Sequence, residues 1–330
     1  MASGIGSLWD CVGNTPLVRI GSLSERTGCE ILGKAEFMNP GGSIKDRAAK
    51  GMIRQAEADG LLRPGGTIVE GTAGTTGIGL GLLGRERGYR LVVTMPDNQS
   101  REKYELLEAM GVEIRRVPVV PFANPGHFFH QARILAEKEG WFWANQFENT
   151  SNGDFHAETT GPEILEQCEG KVDVLVSAVG TGGTLSGTSR FLKSRLPGMR
   201  VGLVDPPGSG LYCFVRDGKV EGSGSSITEG IGIMRITENF RQARVDEAMR
   251  LGDQEMIEML YHLAREDALV VGTSAALNVR AAYEYARRHR GEGLRIVTFL
   301  CDHGSRYASK VFNPEFLASK SLVPRPIPRD

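Results

Sequence analysis

Val172 to Val179 form a nearly continuous apolar run that passes directly into Gly180-Thr181-Gly182-Gly183-Thr184 and then into Leu185-Ser186-Gly187, which can open a helix. A strand that is apolar at successive positions must be covered on both faces, so this segment points to a parallel sheet flanked by helices, the α/β class. The loop has the chemistry of an anion cradle. Glycines let backbone N–H groups approach a phosphate, the helix N-terminus adds its partial positive charge, and the Thr181 and Thr184 hydroxyls can donate as well. Hydrogen bonds to a charged group contribute about 1.5 to 3 kcal/mol each, so three or four hold a phosphate without a lysine. Two other readings fit part of the pattern. Gly180 and Gly182 satisfy G-x-G, and Asp205 ends the next strand where a ribose-binding acid of a dinucleotide fold would stand; the third glycine of that fingerprint, however, falls on Leu185. A tight turn with no ligand is the other.

Short apolar runs ending in glycine or polar loops alternate with helical periodicity along the whole chain. The clearest strands are Thr67 to Glu70, Leu91 to Met95, Val172 to Val179, Val201 to Val204 and Arg295 to Leu300. Ser100 is placed to cap a helix carrying Leu106, Leu107 and Met110 on one side, with Gly111 just past its end, and Asp253 opens a second amphipathic helix. Val117 to Pro125, with three prolines, reads as an irregular connection, and Pro324 to Asp330 as a frayed tail or an arm on a neighbouring subunit. At 330 residues, two lobes sharing a cleft are expected. A formal net charge of -1 without basic clusters gives nucleic acid nothing to bind. No stretch is apolar for long enough to span a bilayer, the opening Met1 to Gly6 lacks the basic and apolar regions of a leader, and the five scattered cysteines read as free thiols; a cytoplasmic location is expected. The six histidines show no metal spacing, and His156 and His303 read as structural.

Two further segments carry chemistry. In Asn39-Pro40-Gly41-Gly42-Ser43-Ile44-Lys45-Asp46-Arg47 a turn starts a helix with Lys45 in its first turn, where the macrodipole and any loss of water disfavour the ammonium, as a Schiff-base lysine requires. By itself such a lysine also fits a solvated helix residue. Glu70-Gly71-Thr72-Ala73-Gly74-Thr75-Thr76-Gly77 is a second strand-to-helix turn, whose hydroxyls and N–H groups suit a small carboxylate or simply cap a helix.

In order and spacing these three segments resemble the fold-type II pyridoxal phosphate enzymes, specifically the cysteine synthase (O-acetylserine sulfhydrylase) and cystathionine β-synthase family. The resemblance extends to Gly13-Asn14-Thr15-Pro16-Leu17-Val18, Asn145-Gln146-Phe147, Thr159-Thr160-Gly161-Pro162-Glu163, Glu229-Gly230-Ile231-Gly232 and Gly272-Thr273-Ser274. It implies two lobes, each a mostly parallel twisted sheet with helices: residues 1–40 plus 155–320 as the larger cofactor lobe, 41–154 as a smaller mobile lobe that receives the substrate carboxylate, and 321–330 as a proline-rich tail. It implies pyridoxal 5'-phosphate on Lys45, its phosphate in Gly180, Thr181, Gly182, Gly183 and Thr184, and Ser274 facing the pyridine nitrogen. Thr72, Ala73, Gly74, Thr75 and Thr76 with Gln146 would receive the α-carboxylate, Thr75 would also reach the cofactor ring, and Gly230 would lie in a turn at the mouth near the amino group. A hydroxyl at the ring nitrogen does not hold it protonated, which favours β-elimination of a good leaving group over a long-lived carbanion.

The family's usual T-S-G-N-T-G loop is T-A-G-T-T-G here, so Ala73 and Thr75 replace a serine and an asparagine; the usual serine pair is Ser274-Ala275, and G-E-R-Y is Gly304-Ser305-Arg306-Tyr307. The resemblance implies β-replacement on an O-activated L-serine, O-acetylserine, through an aminoacrylate that adds sulfide to give L-cysteine. The chain ends shortly after the catalytic fold, which favours a simple synthase. The altered loop leaves open a β-eliminating lyase, cysteine desulfhydrase or serine/threonine dehydratase, and substitution by a nucleophile other than sulfide. A non-catalytic binding protein is the reading outside enzymes. A homodimer is expected by resemblance.

Overall fold

A computed structural model of the chain describes residues 6–328; the opening Met1 to Ile5 and the final Arg329 and Asp330 of the tail lie outside them. Ten strands are present: β1 (Leu17–Arg19), β2 (Glu30–Lys34), β3 (Thr67–Gly71), β4 (Arg90–Pro96), β5 (Glu113–Val117), β6 (Phe142–Trp143), β7 (Val174–Ala178), β8 (Arg200–Asp205), β9 (Glu247–Arg250) and β10 (Arg295–Phe299). They form a six-stranded sheet in the order β1-β2-β10-β7-β8-β9 and a four-stranded sheet in the order β5-β4-β3-β6. Every pairing is parallel except that of β1 with β2.

The apolar strands are apolar because both their faces are covered. Along β7, Val174 and Val176 join one core with Ile31, Ile296 and the helices Asp253–Glu266 and Thr273–Arg288. Leu175, between them, points the other way and packs with Leu32, Val297, Leu203 and the helix Gly183–Arg195. The four-stranded sheet repeats the device: Ile68 and Val93 face the helices Lys45–Ala58 and Thr75–Glu86, whereas Val69 and Val92 face Phe128–Glu139. Each fully buried aliphatic side chain contributes roughly 1.5 to 3 kcal/mol by this burial.

Topology then places the chemistry. The loops after β2, β3, β7 and β10 all leave the carboxyl ends of parallel strands, where open α/β sheets gather their ligand-binding segments. Lys45 begins its helix directly after Ile44, and Ser43 Oγ accepts the Lys45 N–H at 3.2 Å.

Some local expectations are corrected. Ser100 precedes the helix Arg101–Ala109 but makes no capping bond; its hydroxyl donates to Glu229 instead, at 2.8 Å. Leu106 is 41% exposed, whereas the next residue, Leu107, is buried, so the two do not share the packed face of that helix. Pro324 to Pro328 is neither frayed nor reaching away: Ile327 is buried in the core of its own chain, its carbonyl accepts from Arg26, and Gln254 exchanges hydrogen bonds with the Val323 backbone. A single apolar residue in a proline-stiffened segment suffices to dock it. No described helix is long and apolar enough to cross a membrane.

Candidate active site

A cavity of about 320 Å³ opens between the two sheets, lined by Lys45, Thr72, Ala73, Thr75, Thr76, Gln146, Gly180, Thr181 and Gly230 among others. A second, narrower space continues from it past Lys45 to Gly182, Thr184, Ser274, Cys301 and Asp302. Of the residues expected from the sequence, Gly74 and Gly183 line neither space.

Burial pushes the Lys45 amine below the usual lysine range, opposed by the neighbouring Cys301 and Asp302 and helped by Lys103. No hydrogen-bond acceptor reaches that amine among the described residues, which leaves a partly desolvated, unpaired amine in the middle of the cleft. Asp302 Oδ2 accepts from the Tyr307 hydroxyl at 2.7 Å, whereas its buried Oδ1 has no partner. The Cys301 thiol beside it is raised to about 12, chiefly by burial, with Lys45 and the Ser274 hydroxyl acting in the other direction.

The Gly180 to Thr184 loop is pressed between its neighbours. A Cβ on Gly180 would run into the carbonyl of Gly230, and Gly182, at φ 92°, lies so close to Phe240 that a Cβ would sit 2.5 Å from its backbone nitrogen. The glycines therefore let three backbone segments meet as much as they let a ligand approach. The N–H groups of Gly182, Thr184 and Leu185 have no acceptor among the described residues, as expected for the first turn of a helix that nothing else caps. Thr184 Oγ1 lies 3.2 Å from His156 Nε2, whose other ring nitrogen meets Thr160 at 2.8 Å. Burial, then Arg47, pushes His156 down to about 3, so it is neutral at pH 7. His303 caps the short helix Gly304–Tyr307 through its Nδ1. Asp205, the residue a dinucleotide fold would use, is fully buried and turned to the Tyr212 N–H at 2.8 Å.

On the opposite side, Thr76 donates to Gln146 Oε1 at 2.5 Å, and the Gln146 amide donates to Glu70 and to the Gly71 carbonyl, both at 3.0 Å. Glu70, wholly buried beneath this chain, is pushed up to about 8 by desolvation against the pull of these bonds, and stays largely protonated at neutral pH. The turn containing Gly230 is tied across the cleft by Glu229, whose carboxylate meets Lys103 and Lys310, each at 2.5 Å. Lys103 rides on the helix between β4 and β5, so this pair joins the smaller sheet to the larger one.

The cavity has a wall that the motifs did not reveal. Phe122, His127, Phe128 and Phe129 arrive on and after the irregular connection that follows β5, and Phe147 and Arg235 complete the wall. The clearest trace in the sequence is the pair Phe128-Phe129 behind a proline-rich connection, with no spacing to link it to Arg235.

The cleft suits pyridoxal phosphate: an unpaired buried amine, free N–H groups on a helix start for the phosphate, and an orphaned buried oxygen on Asp302. Residues 8–302 match the family described as pyridoxal-phosphate dependent enzyme, and the chain belongs to it. Within that family it is similar to cysteine synthase 1 of Neurospora crassa, 52% identical over 329 residues that cover 98% of this chain and 87% of that one. Among solved structures it resembles a hydrogen sulfide-producing enzyme from Fusobacterium nucleatum, with TM-score 0.84, 33% identity, and coverage of 92% of this chain and 99% of that one. It also resembles an O-acetylserine dependent cystathionine beta-synthase from Helicobacter pylori, with TM-score 0.84, 30% identity, and coverage of 93% and 98%. The sequence resemblance to the cysteine synthase family is thus borne out.

Proposed function

We propose that this chain synthesises L-cysteine by β-replacement, exchanging the acetate of O-acetyl-L-serine for sulfide. The observation that carries this reading is the unpaired Lys45 amine standing between two loops that offer N–H and hydroxyl donors, and the similarity to cysteine synthase 1 supports the substrate class. Lys45 holds the cofactor, Gly180, Thr181, Gly182, Gly183 and Thr184 bind its phosphate, and Ser274 meets its ring nitrogen. When bound, pyridoxal phosphate supplies an electron sink for the charge that develops at the substrate Cα. The substrate carboxylate is held by Thr72, Ala73, Gly74, Thr75 and Thr76 with Gln146, and Gly230 closes the mouth. The Lys45 amine would take the Cα proton while acetate leaves Cβ with the C–O bonding pair; hydrosulfide would then bond to Cβ and a proton return to Cα.

Residues 41–154 act as the smaller lobe, 1–40 plus 155–320 as the larger, and 321–330 as the tail; the confinement of β3 to β6 to the first range supports this division. The enzyme is a homodimer of the cytoplasm, where the five free cysteines suit a reducing milieu. Sedimentation of the purified protein tests the dimer.

The reaction is tested by supplying the cofactor-loaded enzyme with O-acetylserine and sulfide and quantifying cysteine against pyruvate. Cysteine as the main product, lost at least a thousandfold in Lys45→Ala, is expected. Pyruvate as the main product in the presence of sulfide would instead establish an eliminating lyase.

A further inference from the structure

A hydrogen-bond chain has a direction, and the one beneath the Thr72 to Thr76 turn runs away from the cleft. Thr76 donates its hydroxyl proton to Gln146 Oε1 at 2.5 Å, and the Gln146 amide spends its N–H groups on Glu70 Oε1 and the Gly71 carbonyl, both at 3.0 Å. Thr76 and Gln146 line the cavity, yet in this arrangement neither side chain has a proton left for an anion in it. A carboxylate accepts hydrogen bonds and donates none, so it needs the chain to run the other way.

The side chain at the far end decides the direction. Glu70 is 1% exposed, and its oxygens meet only N–H donors: the Gln146 amide and the backbone groups of Gly71, Asn145 and Gln146. Among the described residues, no hydrogen bond or ion pair joins it to a titratable side chain of β3, β4, β6 or the helices packed on them. An ionised carboxylate there only accepts, and so pins the amide N–H groups inward, whereas a neutral carboxyl has one proton to give. Burial pushes Glu70 up to about 8, so the neutral form prevails at neutral pH. The Gln146 backbone stays put in either case, because its carbonyl accepts from Asn152 at 2.9 Å and from Asn239 at 3.0 Å; only the terminal amide has to turn.

We propose that Glu70 is a positioning residue whose proton sets the direction of this chain, and with it the affinity of the Thr72 to Thr76 turn for a carboxylate. Neutral Glu70 donates to Gln146 Oε1. The amide, turned over, gives up the Gly71 carbonyl and directs one N–H to Thr76 Oγ1 and the other to the cleft, which frees the Thr76 hydroxyl to donate to the α-carboxylate. Ionised Glu70 restores the inward direction and sets a negative charge behind the turn. The inference rests on the placement of the substrate carboxylate proposed above, and it makes amino-acid binding, rather than the chemical step, sensitive to pH.

The probe is L-alanine, which has the α-carboxylate and amine of the substrate but nothing to expel. Its dissociation constant is read from the visible absorbance of the cofactor-loaded enzyme between about pH 6 and about pH 9, in wild type and in Glu70→Gln. Glutamine does not ionise and still offers an N–H to Gln146 Oε1, so it stands in for the neutral acid at every pH. The ratio of the two constants cancels the titration of the alanine amine and of Lys45. Because binding selects one protonation state of one group, the wild-type constant divided by that of the variant is expected to rise about tenfold across this range, whatever its starting value. With O-acetylserine the same rise appears in KM and not in kcat. Propionate, a carboxylate without an amine, serves should the variant not fold: competing with alanine in wild type, its own constant must rise about tenfold over the same range. A flat ratio, or a flat constant for propionate, overturns the inference and leaves the β-replacement reading standing. No response to alanine or propionate at any pH overturns the placement of the carboxylate as well.

Discussion

Replacing Lys103 by methionine probes the tie across the cleft. Lys103 is 1% exposed, its amine meets Glu229 and lies 4.7 Å from the centre of the Tyr307 ring, and Glu229 is itself 5% exposed. Methionine keeps most of the stem, so little cavity forms and the loss is electrostatic. Removing one partner of a buried ion pair costs about 3 to 5 kcal/mol when the other charge is left alone. Here Glu229 retains Lys310 at 2.5 Å and the Ser100 hydroxyl at 2.8 Å, so the cost falls to about 2 to 3 kcal/mol. With an unfolding entropy of roughly 2.1 cal/mol/K per residue, a chain of this length loses about 3 to 4 °C of thermal midpoint. The assay is calorimetry at fixed cofactor concentration, since a ligand of the folded state shifts the midpoint by itself. Glu229→Gln and the double variant complete a cycle, in which the double should cost at least about 1 kcal/mol less than the sum of the singles. Acid supplies a sign check. Burial disfavours the Glu229 carboxylate, but Lys103 and Lys310 hold it below its ordinary 4.5, so its stabilisation is present above that value and lost as pH falls through the lowered one. The deficit of Lys103→Met should therefore shrink in acid. A midpoint within 1 °C of wild type, or strict additivity in the cycle, refutes the idea that this pair ties the two sheets together.

Glu70 gives the opposite pH dependence: its carboxyl is raised from 4.5 to about 8, so its contribution is fully present below pH 4.5 and lost as pH rises through 8. Glu70→Gln should flatten the fall of unfolding free energy between pH 5 and 8, by up to about 1.4 kcal/mol per pH unit, as read from denaturant melts across that range, and an unchanged slope counts against a buried neutral carboxyl. Gly180→Ala forces its loop away from the Gly230 carbonyl at a cost of about 1 to 3 kcal/mol, and should weaken cofactor binding at least tenfold in an absorbance titration; unaltered binding would show that the loop yields freely.

The strands buried on both faces were legible because their runs are mostly apolar, with at most an isolated polar residue such as Thr94, Ser177 or Thr298 inside: β3, β4, β7, β8 and β10 begin and end within two residues of the sequence reading. Those that escaped have physical excuses. β5, Glu-Ile-Arg-Arg-Val, is a half-exposed edge, β9 is another edge strand, and β6 has two residues; β1 has three, and β2 ends in a lysine, Lys34, whose burial depends on Glu163, Gln167 and the Thr15 carbonyl around its amine. Lys45 and the two threonine–glycine loops were legible because backbone geometry demands particular residues there. The aromatic wall was not, since Phe122, Phe129, Phe147 and Arg235 share no period and meet only when β5, β6 and the turn after Gly232 are in place. The network of Glu229, Lys103 and Lys310 was invisible for the same reason: three ordinary charges widely spaced along the chain.

The position of β10 has a consequence for how the protein is made. This strand lies in the interior of the six-stranded sheet, between β2 and β7, yet it is the last of the ten to leave the ribosome. The four-stranded sheet, closed by residue 143, can assemble early from local pieces, whereas β2 and β7 must wait with their facing edges unpaired until residue 299 has emerged. Newly synthesised chains thus pass through an interval in which one sheet is finished and the other is split in two. Because Cys301 and Asp302 arrive with that final strand, the lining of the cleft is completed only at the end of this interval, after the Thr72 to Thr76 turn has already formed.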